Sequence, residues 1–220
     1  MDESYTHITI ILDRTGSMES IRDDTIGGFN VFLSEQQDAP GEATMSLVQF
    51  DSQDPYEVIQ EFTPIADIDK LSRDTYVPRA ATPLLDAVGR GINDLDQQLG
   101  ALANDRKPAK VVFAIVTDGK ENASREFSRE QITKMIDEKQ KQDKWQFVFL
   151  SADMAAIREA REVGFMAKKS LAFDKSAAGT ARAWGSLSGR VSDYRSARRS
   201  EVEFDDEDRD QQENESKRKS

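Results

Sequence analysis

The stretch Ile8-Thr9-Ile10-Ile11-Leu12-Asp13-Arg14-Thr15-Gly16-Ser17-Met18 is an apolar run that stops abruptly at an acid, two hydroxyls and a glycine, before an amphipathic segment begins. Apolar residues at successive positions suit a central strand buried on both faces, so its end delivers oxygen-bearing side chains to one edge of a sheet. Two further pieces complete a set. Ala81-Thr82-Pro83-Leu84 lies in mid-chain, and Val111-Val112-Phe113-Ala114-Ile115-Val116-Thr117-Asp118-Gly119 is a second apolar strand ending in Asp-Gly. Carboxylates and hydroxyls with no His or Cys beside them favour a hard cation, Mg²⁺ or Mn²⁺, over zinc.

The order Asp-x-Thr-x-Ser, then a lone Thr, then a strand ending in Asp-Gly resembles a von Willebrand factor A domain over roughly residues 5 to 165. The resemblance implies an α/β, Rossmann-like fold whose mostly parallel sheet runs in the order 3-2-1-4-5-6, with one antiparallel edge strand and helices on both faces. It implies a metal-ion-dependent adhesion site in which Asp13, Thr15 and Ser17 form the first loop, Thr82 the second and Asp118 the third. Thr15 stands where Ser is the family's commonest choice and keeps the hydroxyl oxygen. The implied cofactor is Mg²⁺ or Mn²⁺, and the implied function is non-enzymatic: a protein partner offers an Asp or Glu to the ion. Intracellular relatives often work beside ring-forming ATPases or in bacterial and phage systems. The resemblance extends that setting to this chain.

Composition sets further bounds. The 220 residues fit one α/β domain with room for an extra helix and a tail. There is no Cys, hence no disulfide or thiolate site, and no early basic and apolar run of the kind a signal peptide or membrane span requires. The expected location is the cytoplasm. The lone His7, at the start of the first strand, has no partners for a triad or cluster and is read as structural. The net charge is −11, and residues 201 to 220 carry nine acids against four bases. This acidic balance, with no basic stripe, argues against direct nucleic-acid binding. The predicted organisation is a domain at 1–168, a helical extension packed on it at 169–199, and an acidic disordered tail at 200–220, where only Val202 and Phe204 are candidate anchors.

Along the chain, Met18, Ile21, Ile26, Phe29, Phe32 and Leu33 keep helical spacing. Segments 43–50 and 56–62 are strands whose turn-rich link is too short for a parallel crossover, so they form a hairpin. A long amphipathic helix starts after Thr82-Pro83, another spans Arg129 to Lys141, and Trp145 to Leu150 is a strand. A helix at 154–163 follows, Gly164-Phe165 leads to a short edge strand, and Trp184, Leu187, Val191 and Tyr194 mark a C-terminal helix.

Several of the site residues also have a plainer reading, Thr82 as a cap of the helix that follows it. Thr15 and Ser17 could cap the first helix, and Asp118-Gly119 could be a simple turn. Gly16 and Gly119 suit sharp turns, Arg14 is read as a solvated rim residue, and Asp86 as a helix-dipole acid. Asp13-Arg14-Thr15-Gly16-Ser17 also resembles the phosphorylation loop of haloacid-dehalogenase-like phosphotransferases. There Asp13 would accept the phosphoryl group, Asp118 would hold Mg²⁺, and Lys110 or Lys120 would stabilise charge. The acid that such phosphatases place two residues after the nucleophile is missing. A dinucleotide-binding enzyme would need a glycine fingerprint after strand one, and none is there.

Overall fold

The apolar run becomes strand β1 (Thr6–Asp13), buried along its whole length in a computed structural model that describes residues 5–218, with side chains to 212. The other strands are β2 (Ala43–Phe50), β3 (Glu57–Pro64), β4 (Lys110–Thr117), β5 (Gln146–Ser151) and β6 (Ser170–Ala172). They form one six-stranded sheet in the order β3-β2-β1-β4-β5-β6. Only the β2–β3 pair is antiparallel, as its short link requires. All other pairs are parallel.

Alternation along β1 splits the core in two. Ile8, Ile10 and Leu12 face α1 (Arg22–Asp38) and α5 (Ala177–Arg195), whereas Ile11 faces α2 (Leu84–Ala101), α3 (Arg129–Gln142) and α4 (Met154–Glu162). A 3₁₀ turn, Gly16–Ile21, leads into α1. The β1 polar residues are satisfied inside the sheet. The His7 ring stacks on Phe62 at 4.1 Å between centroids and bonds Thr44 Oγ1 (2.9 Å) and Thr9 Oγ1 (3.1 Å). Burial pushes its imidazole down to about 3, so it stays neutral.

The helix α5 is part of this core rather than an appendage. Trp184, Leu187 and Val191 join the cluster of Phe29, Phe32 and Leu33, and β6 is a strand of the sheet. The domain boundary at 168 is therefore corrected: the folded unit runs through 169–199 without a break.

The contact between α1 and α5 depends on Gly28. A Cβ there would stand 2.1 Å from Trp184 Cδ1, and Trp184 is 1 % exposed. Gly to Ala inside a helix usually stabilises by about 1 kcal/mol. Forcing a methyl against a buried indole costs about 1–3 kcal/mol or more, so the clash outweighs the propensity gain. Gly28→Ala is expected to lower unfolding stability in urea by roughly 1–2 kcal/mol.

The expectation of a disordered stretch from 200 onward is also corrected for the residues described. Val202 is fully buried and Phe204 is 4 % exposed, both in the core cluster of α1 and α5. Phe204 N donates to Lys168 O at 2.8 Å, and a further helix, α6 (Asp206–Arg218), follows. Four of the acids are paired with bases folded onto them: Arg190 pairs with Asp205 and Asp208 at 2.8 Å each, and Lys168 with Glu201 (2.8 Å) and Glu203. Two anchors and this pairing offset what net charge alone opposes. Arg195, in the last turn of α5, is buried and donates to Gln36 O (2.6 Å) and Gly41 O (3.0 Å). Residues 219–220 lie outside the described residues.

Candidate metal centre

β1 and β4 are neighbours, with Leu12 opposite Val116, so Asp13 and the Thr117-Asp118 pair emerge side by side at the carboxyl ends of the strands. The helices that follow them, α1 and α3, lie on opposite faces. This is the topological switch point at which open α/β sheets form a ligand crevice.

The structure brings all five predicted oxygen donors together. Ser17 Oγ donates to Asp118 Oδ1 at 2.5 Å. Thr15 Oγ1 lies 3.3 Å from Ser17 Oγ and accepts from Thr82 Oγ1 at 3.3 Å. Asp13 Oδ1 accepts from Thr15 N (2.7 Å) and Oδ2 from Thr117 Oγ1 (2.5 Å). Three hydroxyls thus run in a chain from the second loop to Asp118, with the buried Asp13 behind them. Thr15 makes no side-chain cap bond, and the Ser17 hydroxyl is turned to Asp118, so helix capping does not explain either.

Burial pushes the Asp13 carboxyl up to about 7, against the hydrogen bonds from Thr117 and Thr15, and the adjacent Asp118 adds to the rise. Two acids meeting in a closed crevice are costly unless a cation shares them. A Cβ on Gly119 would stand 3.6 Å from both Ser17 Oγ and Thr82 Oγ1, an ordinary contact, so the third loop passes directly beside those hydroxyls. Neither Gly16 nor Gly119 has a positive φ, and the chain bends at Thr15 and again at Asp118-Gly119, where the strands give way to the site loops. The donor set of two carboxylates and three hydroxyls fits a hard divalent ion. Among the described residues no group of three or more His, Cys, Asp or Glu gathers for a metal; the oxygen donors that converge here are two carboxylates and three hydroxyls.

Loops around the site are tied to one another. Asn122 Oδ1 accepts from Thr82 N (2.8 Å), and Asn122 N donates to Thr82 O (3.0 Å). Glu121 accepts from Leu85 N (2.9 Å) and Ser124 N (2.7 Å), joining the third loop to the start of α2. Asp86, read above as a dipole acid, is buried and accepts from the amides of Arg125, Glu126 and Phe127 at 2.8 to 3.0 Å. Ala80 holds a φ of 60°, a left-handed conformation that a Cβ disfavours, and its carbonyl takes Gly16 N at 3.0 Å. Strain in the second loop is thus anchored on the first.

Several contributors lack a sequence signal. Tyr76 Oη donates to Asp13 O at 2.6 Å from an irregular segment, and Lys175 Nζ pairs with Asp118 Oδ2. Thr117, next to Asp118 at a strand end, could have been found by its position. Arg14 is corrected: it is 5 % exposed, with its Nε on Asp51 at 2.7 Å and a second ion pair to Glu57. Lys110, offered as a charge stabiliser, donates to Tyr194 O and Arg195 O (3.0 Å each) from the start of β4, at the opposite end of the strand from Asp118.

No protein-family profile matches the chain, and no curated protein matches its sequence. Solved structures do. A von Willebrand factor type A protein from Catenulispora acidiphila superposes with a TM-score of 0.56 at 12 % identity, over 84 % of this chain and 42 % of its own. Proximal thread matrix protein 1 from the mussel byssus, with a zinc-occupied MIDAS motif, gives 0.59 at 15 % identity over 86 % and 46 %. The manganese-loaded TRAP protein of Plasmodium vivax gives 0.53 at 13 % identity over 79 % and 70 %. The chain spans less than half the length of the first two. At these identities the likeness establishes the fold, which is that of a von Willebrand factor A domain.

Proposed function

We propose that this chain is a divalent-metal-dependent protein interaction module, not an enzyme, which captures an Asp or Glu of a protein partner through Mg²⁺ or Mn²⁺. The observation that carries this reading is the hydroxyl chain Thr82–Thr15–Ser17 ending on Asp118 beside the buried Asp13, at the sheet's switch point. Asp13, Thr15, Ser17, Thr82 and Asp118 would hold the ion, which when bound supplies a Lewis-acid position for a carboxylate oxygen. The hydroxyls of Thr15, Ser17 and Thr82 are neutral donors, so they add coordination without cancelling charge and leave the centre receptive to an outside acid. Asp13 and Thr117 hold the first and third loops together behind them.

Support also comes from the structural neighbours, one manganese-loaded and one with zinc in its MIDAS motif. The donors here include no His or Cys, which favours Mg²⁺ or Mn²⁺ over zinc in this chain. Among the described residues no helix is long and apolar enough to cross a membrane. We place the protein in the cytoplasm of a bacterial or phage system, with a component of a larger assembly such as a ring-forming ATPase as its partner, and with no direct nucleic-acid or membrane binding.

The test is affinity capture from a lysate in Mg²⁺ and in chelator. Chelator and Thr82→Ala are each expected to abolish capture of the same partner. Capture that survives both would refute the metal bridge while leaving the fold untouched.

A further inference from the structure

The Lys175 side chain enters the site from the segment between β6 and α5. Its Nζ pairs with Asp118 Oδ2 and donates to Ser17 O at 2.9 Å, so one ammonium touches two of the loops that carry the oxygen donors. The Asp118 side chain is fully buried, whereas that of Lys175 is 37 % exposed. The lysine therefore reaches in from the crevice mouth.

Its position is built. Phe173 is buried in the core, and its N donates to Ser151 O at 3.0 Å. On the other side, Ser176 caps α5 by accepting from Gly179 N at 3.2 Å, and its own N donates to Asp174 O at 2.8 Å. A Cβ at Gly179 would stand 2.2 Å from Asp174 O, so the segment is folded tightly back on the first turn of α5. Lys175 is thus fixed at both ends and aimed at Asp118, unlike a free surface lysine.

We propose that Lys175 is a tethered cation that competes with the divalent ion for Asp118, so that the metal enters by displacing this ammonium. This rests on the metal-site reading above. A carboxylate oxygen and a nearby main-chain carbonyl that hold an ammonium are not open to a second cation, and like charges a few ångströms apart in a buried crevice repel strongly. In metal-free protein, Lys175 neutralises one of the two acids that burial otherwise sets against each other. Its presence lowers metal affinity and makes the apo fold tolerable.

The test is Mn²⁺ binding followed by electron paramagnetic resonance on the full chain, for wild type, Lys175→Met and Lys175→Arg. Removing the charge is expected to tighten Mn²⁺ binding by about tenfold, within the range by which groups adjoining metal ligands tune affinity. Lys175→Arg, which keeps the charge, should stay near wild type. Should Lys175→Met fail to fold, wild-type protein still gives an answer. Acylation of Lys175 by an N-hydroxysuccinimide ester, read by mass spectrometry, is expected to be several-fold faster with Mn²⁺ than with chelator. Binding by wild type that is unchanged or weaker in Lys175→Met, or acylation of Lys175 that does not speed up with Mn²⁺, would overturn the competition and leave the metal site standing. Failure of both wild type and Lys175→Met to bind Mn²⁺ would overturn the site reading and this proposal together.

Discussion

Truncation after Ser200 is expected to lower the thermal midpoint by roughly 10–20 °C, as read by calorimetry or circular dichroism. The deleted segment carries Val202 and Phe204, at 0 % and 4 % exposure, both seated in the cluster of Trp184, Leu187 and Phe32. Losing a buried Phe costs about 3–5 kcal/mol, and a buried Val adds roughly 1.5 or more, because the core keeps the cavity. Cut at that point, the chain also leaves Arg190, whose side chain is 15 % exposed, without Asp205 and Asp208. A loss of about 5 kcal/mol is a large share of the 5–15 kcal/mol that a domain typically has. A midpoint within about 3 °C of the full chain would mean the segment adds little to the fold.

Mn²⁺ is expected to raise the thermal midpoint of the wild-type chain by about 5–10 °C at a hundredfold excess over its dissociation constant, and Asp13→Ala is expected to erase that gain. The gain follows from mass action: binding only the folded state at that excess adds about 2.7 kcal/mol, and a domain of this size shifts by about 2–4 °C per kcal/mol. The pH dependence has a definite sign. Burial raises the Asp13 carboxyl to about 7 in the folded metal-free protein, above its ordinary value of 3.8. Protonation of Asp13 therefore favours the folded apo chain, fully so below the unfolded value, and this contribution is lost as pH rises through about 7. The ion takes the place of that proton, so the Mn²⁺-induced gain should be small near pH 5 and grow toward pH 8. An Asp13→Ala chain with the same Mn²⁺ shift as wild type would remove Asp13 from the site.

Much of the fold is written in local pattern. Ile10, Ile11 and Leu12 are apolar on consecutive positions, which suits a strand covered on both faces, and β1 lies in the middle of the sheet. The link between Phe50 and Glu57 is too short for a crossover, which fixes the β2–β3 pair as antiparallel. Thr82-Pro83 stops one strained loop and opens α2 at Leu84. The convergence of these five oxygen-bearing side chains was legible for the same reason, since each stands where an apolar strand ends or a helix begins.

What was not legible depends on distant partners. Val202 and Phe204 are two apolar residues in an acidic run, and only their places beside Trp184 and Leu187 make them core. Arg14 reads as a surface base until Asp51 and Glu57 are folded around it. Lys175 lies 158 residues from Ser17 and shares no spacing with the site motifs, so only the tertiary fold brings its ammonium to Asp118.

The central claim is that Asp13, Thr15, Ser17, Thr82 and Asp118 form one metal centre, and a direct Mn²⁺ titration of the full chain by electron paramagnetic resonance tests it most simply. The expected result is one bound ion per chain, absent in Asp13→Ala and weakened at least tenfold in Thr82→Ala, in line with the loss of a ligating oxygen. No binding by either the wild-type chain or Lys175→Met, or equal binding by wild type and Asp13→Ala, would contradict it.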